Sequence, residues 1–243
     1  MRERPLLFCV PYSGGSARVF RPWRERFAEH AEVVPLELAG RGSRAAEPVP
    51  TSVRATAADL ARTVRETAAG RPHFLFGHSM GGLVAYEMAL ANRDLAFPGL
   101  RMVVVSGRNP PQRSAAWRRE VLSLDDRALL AELRAVGGVP DGLSPSIAAA
   151  FFLPLLRADL RGAVSYRPAS PPRRISAPLL VFLGRGDALV EADAGEGWWR
   201  CTDAGCTVVR HDGHHFTIFE RVGELAATLR PFLEAAARPG RAR

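Results

Sequence analysis

The stretch His73-Phe74-Leu75-Phe76-Gly77-His78-Ser79-Met80-Gly81-Gly82 decides how the chain is read. Its first four residues read as a short buried strand that runs straight into Gly77. Residues 83–91 are mostly apolar and read as a buried helix. Between them lies G-x-S-x-G. Five letters alone are a weak signal. Set between a strand and a helix, they describe a sharp turn that lifts a serine hydroxyl to the carboxyl end of the strand. Such a turn strains the serine backbone and needs small neighbours at Gly77 and Gly81. The free amides at the helix start then face the place where negative charge develops on an attacked carbonyl. Ser79 is therefore the candidate nucleophile.

Working outward, apolar runs alternate with helical patterns. Residues 5–10 read as a strand stopped by Pro11 and a Gly14-Gly15 turn. Ser16 is placed to cap a helix carrying Phe20, Trp23 and Phe27. Residues 32–38 are a second strand, ended by Gly40-Arg41-Gly42. Residues 51–69 read as a helix with Leu60 and Val64 on one side and Thr51 or Ser52 as its cap. Further strands fall at 102–105, 179–183 and 207–210, and a closing helix at 220–237. This alternation predicts an α/β fold, a mostly parallel sheet flanked by helices on both faces. One segment breaks the rhythm. About 70 residues without a strand signal separate the strands at 102–105 and 179–183, far more than an ordinary connection needs. Helical patterns at 125–136 and 146–161 are punctuated by Asn109-Pro110-Pro111, Gly137-Gly138, Pro140 and prolines across 168–172. Residues 108–174 read as a helical lid, the alternative being a small independent helical subdomain. The core is then residues 1–107, with the nucleophile, and 175–243, with the acid and base.

A serine hydroxyl needs a base. Of six histidines, His30 and His73 sit at element ends, and His78 would point away on the turn. His211, His214 and His215 follow the last strand. An α/β-hydrolase runs in the chain order serine, acid, histidine, with the base after the final strand. His215 is the favoured base and His214 the alternative. The acid must lie at a strand tip between them. The tip Ser106-Gly107-Arg108-Asn109-Pro110 holds no carboxylate. The tip Gly184-Arg185-Gly186-Asp187 does, so Asp187 is preferred over the later Asp193. The oxyanion hole needs two amides: Met80, just after the nucleophile, and one from the loop Pro11-Tyr12-Ser13-Gly14-Gly15. Ser13 is preferred there and Tyr12 comes next.

Composition removes other classes. The chain has 243 residues, 47% of them apolar, which supplies a real core and excludes general disorder. No apolar run is long enough to span a membrane, and the run at residues 6–10 is too short for a signal peptide. Cys9, Cys201 and Cys206 form no paired ligand spacing, which argues against a structural metal or a disulfide framework. A cytoplasmic protein with no metal is expected. All 33 basic residues are arginine, against 25 acids, for a net charge of +8. Basic runs are only pairs, Arg118-Arg119 and Arg173-Arg174, so neither nucleic acid nor a membrane is the expected partner. A coding bias towards G and C explains the absence of lysine. The tail at 238–243 is of low complexity and expected to fray.

The motifs also match a known family. Val10-Pro11-Tyr12-Ser13-Gly14-Gly15-Ser16, then Phe20 and Trp23, resembles the opening of type II thioesterases of polyketide and nonribosomal peptide synthases. Leu36-Glu37-Leu38-Ala39-Gly40-Arg41-Gly42-Ser43-Arg44 resembles their P-G-R-x-x-R segment, and Gly77 to Gly82 their serine motif. Leu153-Pro154-Leu155-Leu156-Arg157-Ala158-Asp159 with Tyr166 resembles their L-P-x-x-R-A-D…Y stretch. Gly184 to Val190 with Trp198 resembles the acid motif, and Gly213-His214-His215-Phe216 the base motif, which supports His215. Departures are Ala39 for proline, Ser13 where alanine is common, and Gly82 for alanine. The resemblance implies a free-standing, monomeric hydrolase without a cofactor. It implies a Ser79, His215 and Asp187 triad that clears acyl groups from the phosphopantetheine arm of acyl carrier or peptidyl carrier protein domains. Tyr12, Phe151, Phe152, Leu155 and Leu156 are candidates for the acyl pocket, although the four lid residues read equally as the lid's own core. A small-molecule carboxylesterase or lactonase would use the same triad. A non-catalytic carrier-binding module would not need it.

Overall fold

Six short strands form one parallel sheet in the order β2-β1-β3-β4-β5-β6. They are β1 (Leu6–Val10), β2 (Glu32–Pro35), β3 (His73–His78), β4 (Leu100–Ser106), β5 (Leu179–Gly184) and β6 (Cys206–His211). The computed structural model describes residues 3–95, 99–113, 120–139 and 142–238. Pro140, the pair Arg118-Arg119 and the tail beyond Arg238 lie outside the described residues. β3 is central and pairs in register with β1 from Leu6↔His73 to Val10↔Gly77.

The sheet is buried on both faces, and side-chain alternation divides each strand between two cores. Leu6, Phe8, Val10, Leu75, Val103, Val105, Val181 and Leu183 face one core. Leu7, Cys9, Phe74, Phe76, Val104, Leu180 and Phe182 face the other. The first core is closed by α2 (Val53–Ala68) and α3 (Met80–Leu95), with Leu60, Val64, Leu83 and Val84 inward. Ser52 caps α2, its hydroxyl accepting the Ala55 amide at 3.1 Å. The second core is closed by α1 (Trp23–Arg26) and by the last helix, Val222–Ala236, through Trp23, Leu225, Leu229 and Leu233. The helix expected after Ser16 is split into a 3-10 turn, Ala17–Phe20, and the short α1. Pro22 lacks the amide that would carry the helix across, and Ser16 makes no side-chain capping bond. Phe20, Trp23 and Phe27 are nonetheless all fully buried.

Between β4 and β5 the chain forms α4 (Asp126–Ala135), capped by the Asp125 carboxylate on the Ala128 amide at 2.8 Å. A second helical run starts at Pro145–Ile147, passes through a π-helical segment Ala148–Phe152, and continues as α5 (Leu153–Ser165). Leu129, Leu133, Ala148, Leu153, Leu156 and Leu160 give this insertion an apolar cluster of its own. Polar bonds tie its far end to the core. The Arg54 guanidinium donates to the Arg167 carbonyl at 2.8 Å, and the Tyr166 hydroxyl to Glu87 at 2.5 Å. Among the described residues, no helix is long and apolar enough to cross a membrane.

Candidate active site

Ser79 sits between the end of β3 and the first residue of α3 with φ +54°, a left-handed value for a residue that has a Cβ. Such a backbone costs on the order of 1–3 kcal/mol and persists only where its surroundings fix it. Here the Ser79 amide donates to the Ser106 carbonyl at 2.8 Å, and the Ser79 carbonyl accepts from Gly82 at 3.1 Å. The neighbouring glycines are required by close approach. A Cβ on Gly77 would lie 2.0 Å from the Gly81 carbonyl oxygen, and one on Gly81 2.3 Å from that of Val10.

The tips of β5 and β6 bring in two further groups. His215 Nδ1 lies 2.8 Å from Asp187 Oδ2, and their side chains are 4% and 1% exposed. The other Asp187 oxygen accepts the Leu189 amide at 2.9 Å. A carboxylate removed from water needs such partners. With Nδ1–H donating to Asp187, the His215 tautomer leaves Nε2 as an acceptor. Ser79 and His215 line one cavity of about 30 Å³, together with Tyr12, Ser13, Leu133, Val136, Leu156, Leu160 and Phe216. That is room for about one or two waters. A wider groove of about 620 Å³ shares Tyr12 and Phe216 with it and runs past Arg134, Val139 and Leu143.

The other expected candidates are placed elsewhere. His214 turns to the Thr217 hydroxyl through its amide at 2.9 Å and its ring at 3.4 Å. The His211 ring stacks on Phe182 at 4.7 Å. Asp193 is half exposed and pairs with Arg113. His78, expected to point away on the turn, is fully buried, with Nδ1 3.2 Å from the Ser106 hydroxyl and its ring 4.7 Å from that of His215. His215 follows β6, so the residues around the elbow carry no sign of this contact. Burial first, then the nearby His215 and His211, hold the His78 imidazole well below its usual range, so it is neutral.

The loop after β1 forms a turn in which the Gly15 amide donates to the Tyr12 carbonyl at 2.9 Å. The Gly14 amide donates to Asp159 of α5 at 2.8 Å. Both glycine amides are thus engaged, whereas the Ser13 amide has no acceptor among the described residues and Ser13 lines the cavity. The Met80 amide is in the first turn of α3, where helical amides lack internal partners.

Of the five candidates for an acyl pocket, Tyr12 and Leu156 line the cavity. Phe151 does not fit that expectation, because it is 70% exposed. Ala148 and Leu156 of the same helical run are buried in the insertion's cluster. Phe152 packs on the insertion's cluster. A Cβ on Gly40 would come within 3.5 Å of Leu155, which places that side chain over the loop after β2. Tyr12 meets the rings of Phe216 at 4.8 Å and Phe219 at 5.4 Å, and Phe219 meets Trp23 at 5.9 Å. No local pattern marks this ring cluster, since its members come from three separate segments.

A parallel sheet flanked by helices, with a serine on a strand-to-helix elbow, defines an α/β-hydrolase. Within that class the chain belongs to the thioesterase family, whose Thioesterase domain matches residues 5–233. It is similar to the gramicidin S biosynthesis protein GrsT of Aneurinibacillus migulanus, 31% identical over 222 residues that cover 90% of this chain and 85% of that protein. Among solved structures it is similar to ClbQ from the colibactin NRPS/PKS pathway, with TM-score 0.87 and 27% identity over 96% of this chain and 98% of the other. It is also similar to YbtT, the type II thioesterase from the yersiniabactin NRPS/PKS biosynthetic pathway, with TM-score 0.83 and 25% identity over 97% and 95% of the two chains. The chain is accordingly a hydrolytic thioesterase, of the type II kind found in polyketide and nonribosomal peptide pathways.

Proposed function

We propose that the enzyme hydrolyses acyl thioesters from the phosphopantetheine arm of acyl or peptidyl carrier proteins, editing stalled or misprimed synthases through a Ser79, His215 and Asp187 acyl-enzyme mechanism. The observation that carries this reading is the buried 2.8 Å bond between His215 and Asp187 beside a serine held on the elbow. His215 Nε2 takes the Ser79 proton as Oγ attacks the thioester carbon. The Met80 and Ser13 amides hold the oxyanion, each contributing about 3 kcal/mol in comparable sites. The bond to sulfur then breaks, and the thiol leaves with the proton from His215. Water, deprotonated by His215, attacks the acyl-enzyme, and the free acid departs from a regenerated Ser79. Asp187 stays ionised, fixes the ring tautomer and stabilises the imidazolium.

Residues 108–174 act as a cover. The cavity at Ser79, about 30 Å³, is small for an acyl chain, which favours a shift of the cover when substrate binds. The adjoining groove past Tyr12 and Phe216 is the path by which a long arm reaches Ser79.

The test is loss of the acyl group from a loaded carrier, read by intact mass. Ser79→Ala should lower turnover roughly a thousandfold or more, and wild-type turnover in that variant would refute the assignment. Equal rates on simple esters and on acyl carriers would favour an esterase instead.

A further inference from the structure

We propose that Arg41 and Asp159 are positioning residues that set the oxyanion loop, so that the insertion between β4 and β5 helps to assemble the catalytic site. This rests on the triad reading above. Neither residue lines the catalytic cavity. Arg41 follows β2 and Asp159 sits on α5, and they are 5% and 7% exposed. The guanidinium grips the carboxylate in two parallel bonds, Nη1 to Oδ2 at 2.7 Å and Nη2 to Oδ1 at 2.8 Å. What the pair does next is specific. Asp159 Oδ2 also accepts the Gly14 amide at 2.8 Å, and Arg41 Nη1 also donates to the Gly15 carbonyl at 3.1 Å. The other two hydrogen bonds that the buried pair makes therefore go to two consecutive residues of one loop.

That loop needs an outside hold. Its Gly15-to-Tyr12 bond closes a four-residue turn with Gly14 third, at φ +78°. A glycine there lets the peptide between Ser13 and Gly14 flip at little cost. A Cβ on Gly14 would lie 2.9 Å from the Phe152 ring and would have to take a left-handed φ, so glycine is favoured there. The Asp159 carboxylate selects the orientation in which the Gly14 N–H points towards α5. It thereby anchors the loop beside the Ser13 amide, the second oxyanion donor. An oxyanion hole works because its donors are fixed before charge develops. Net stability is a poor reason for the pair, since buried ion pairs often add none over apolar side chains of similar size. Positioning accounts for it better.

The experiment uses Arg41→Met with Asp159→Leu, which removes both charges together and leaves neither one buried alone. The substrate is an acyl N-acetylcysteamine thioester, which needs no carrier. With thermal unfolding showing a folded protein, kcat should fall about a hundredfold, as for one lost oxyanion donor, while KM changes less than threefold. Affinity for a boronic acid that mimics the tetrahedral intermediate should fall in parallel. The midpoint of the acid limb of the pH–rate profile, which reports the base, should not move. A folded double variant with wild-type kcat and boronate affinity would overturn the proposal. If the double variant does not fold, Asp159→Asn decides on the same readouts, and wild-type values again overturn the proposal. Ser79→Ala run alongside keeps the two readings apart. If it retains activity, the triad itself fails. If it is inactive while the pair variants are not, only the positioning role fails.

Discussion

At residue 79 a strained backbone and a serine hydroxyl, the proposed nucleophile, coincide because the same turn places both. The elbow was legible in the sequence, since Gly77 and Gly81 are the only neighbours the close backbone contacts allow. The environment of His78 was not legible. Sequence alternation says which side of the turn a residue faces, but not what packs there from 137 residues further along, as His215 does. The burial of His78, with His215 adding to it, has a thermodynamic consequence. The His78 imidazole titrates well below its usual range when folded and near 6.5 when unfolded. Above about pH 6.5 both states are neutral and stability is unaffected. As the pH falls below that value the unfolded chain binds a proton that the folded chain refuses, so stability falls. The slope for this one group approaches about 1.4 kcal/mol per pH unit. Urea unfolding of His78→Phe at pH 7.5 and pH 5.5 should show a smaller difference than wild type. His73, also held low chiefly by burial, supplies part of the slope that remains.

The elements divide into those with a strong local signal and those set by distant contacts. Strands buried on both faces read as unbroken apolar runs, so β1, β3, β4 and β5 were visible within a residue or two. The cap of α2 had two candidates, and the structure selects Ser52, whose hydroxyl meets the Ala55 amide. Ser52→Ala should lower stability by about 1 kcal/mol in urea unfolding, while Thr51→Ala should leave it nearly unchanged. The insertion's helical character was legible from its spacing, but the π-helical segment Ala148–Phe152 was not. One added residue per turn rotates the side chains and leaves Phe151 facing solvent. The buried bonds between Arg41 and Asp159 were also out of reach, because the partners lie 118 positions apart. The motifs that carry both residues resembled the family's, yet resemblance alone does not say what they touch.

Across the whole molecule the +8 charge is unevenly spread. Residues 1–107 carry a net +4, residues 108–174 a net +5 and residues 175–243 a net −1. The excess is thus densest on the insertion that borders the groove to Ser79. A basic rim speeds encounter with an acidic carrier and is screened by salt. Turnover of an acyl carrier should fall steeply between about 50 and 200 mM salt if several such contacts form, whereas that of a small thioester should not. Equal salt dependence would count against a carrier docked on this rim.

The ring cluster behind the site gives the enzyme an optical reporter of its own. Trp23 is fully buried, and its indole nitrogen has no hydrogen-bond partner among the described residues. It is joined through Phe219 to Tyr12, which lines both the cavity and the groove. A substrate arm that displaces Tyr12 therefore disturbs the packing around an indole at the base of the fold. In a variant that keeps Trp23 alone of the chain's four tryptophans, emission should change as the site is occupied, without a label.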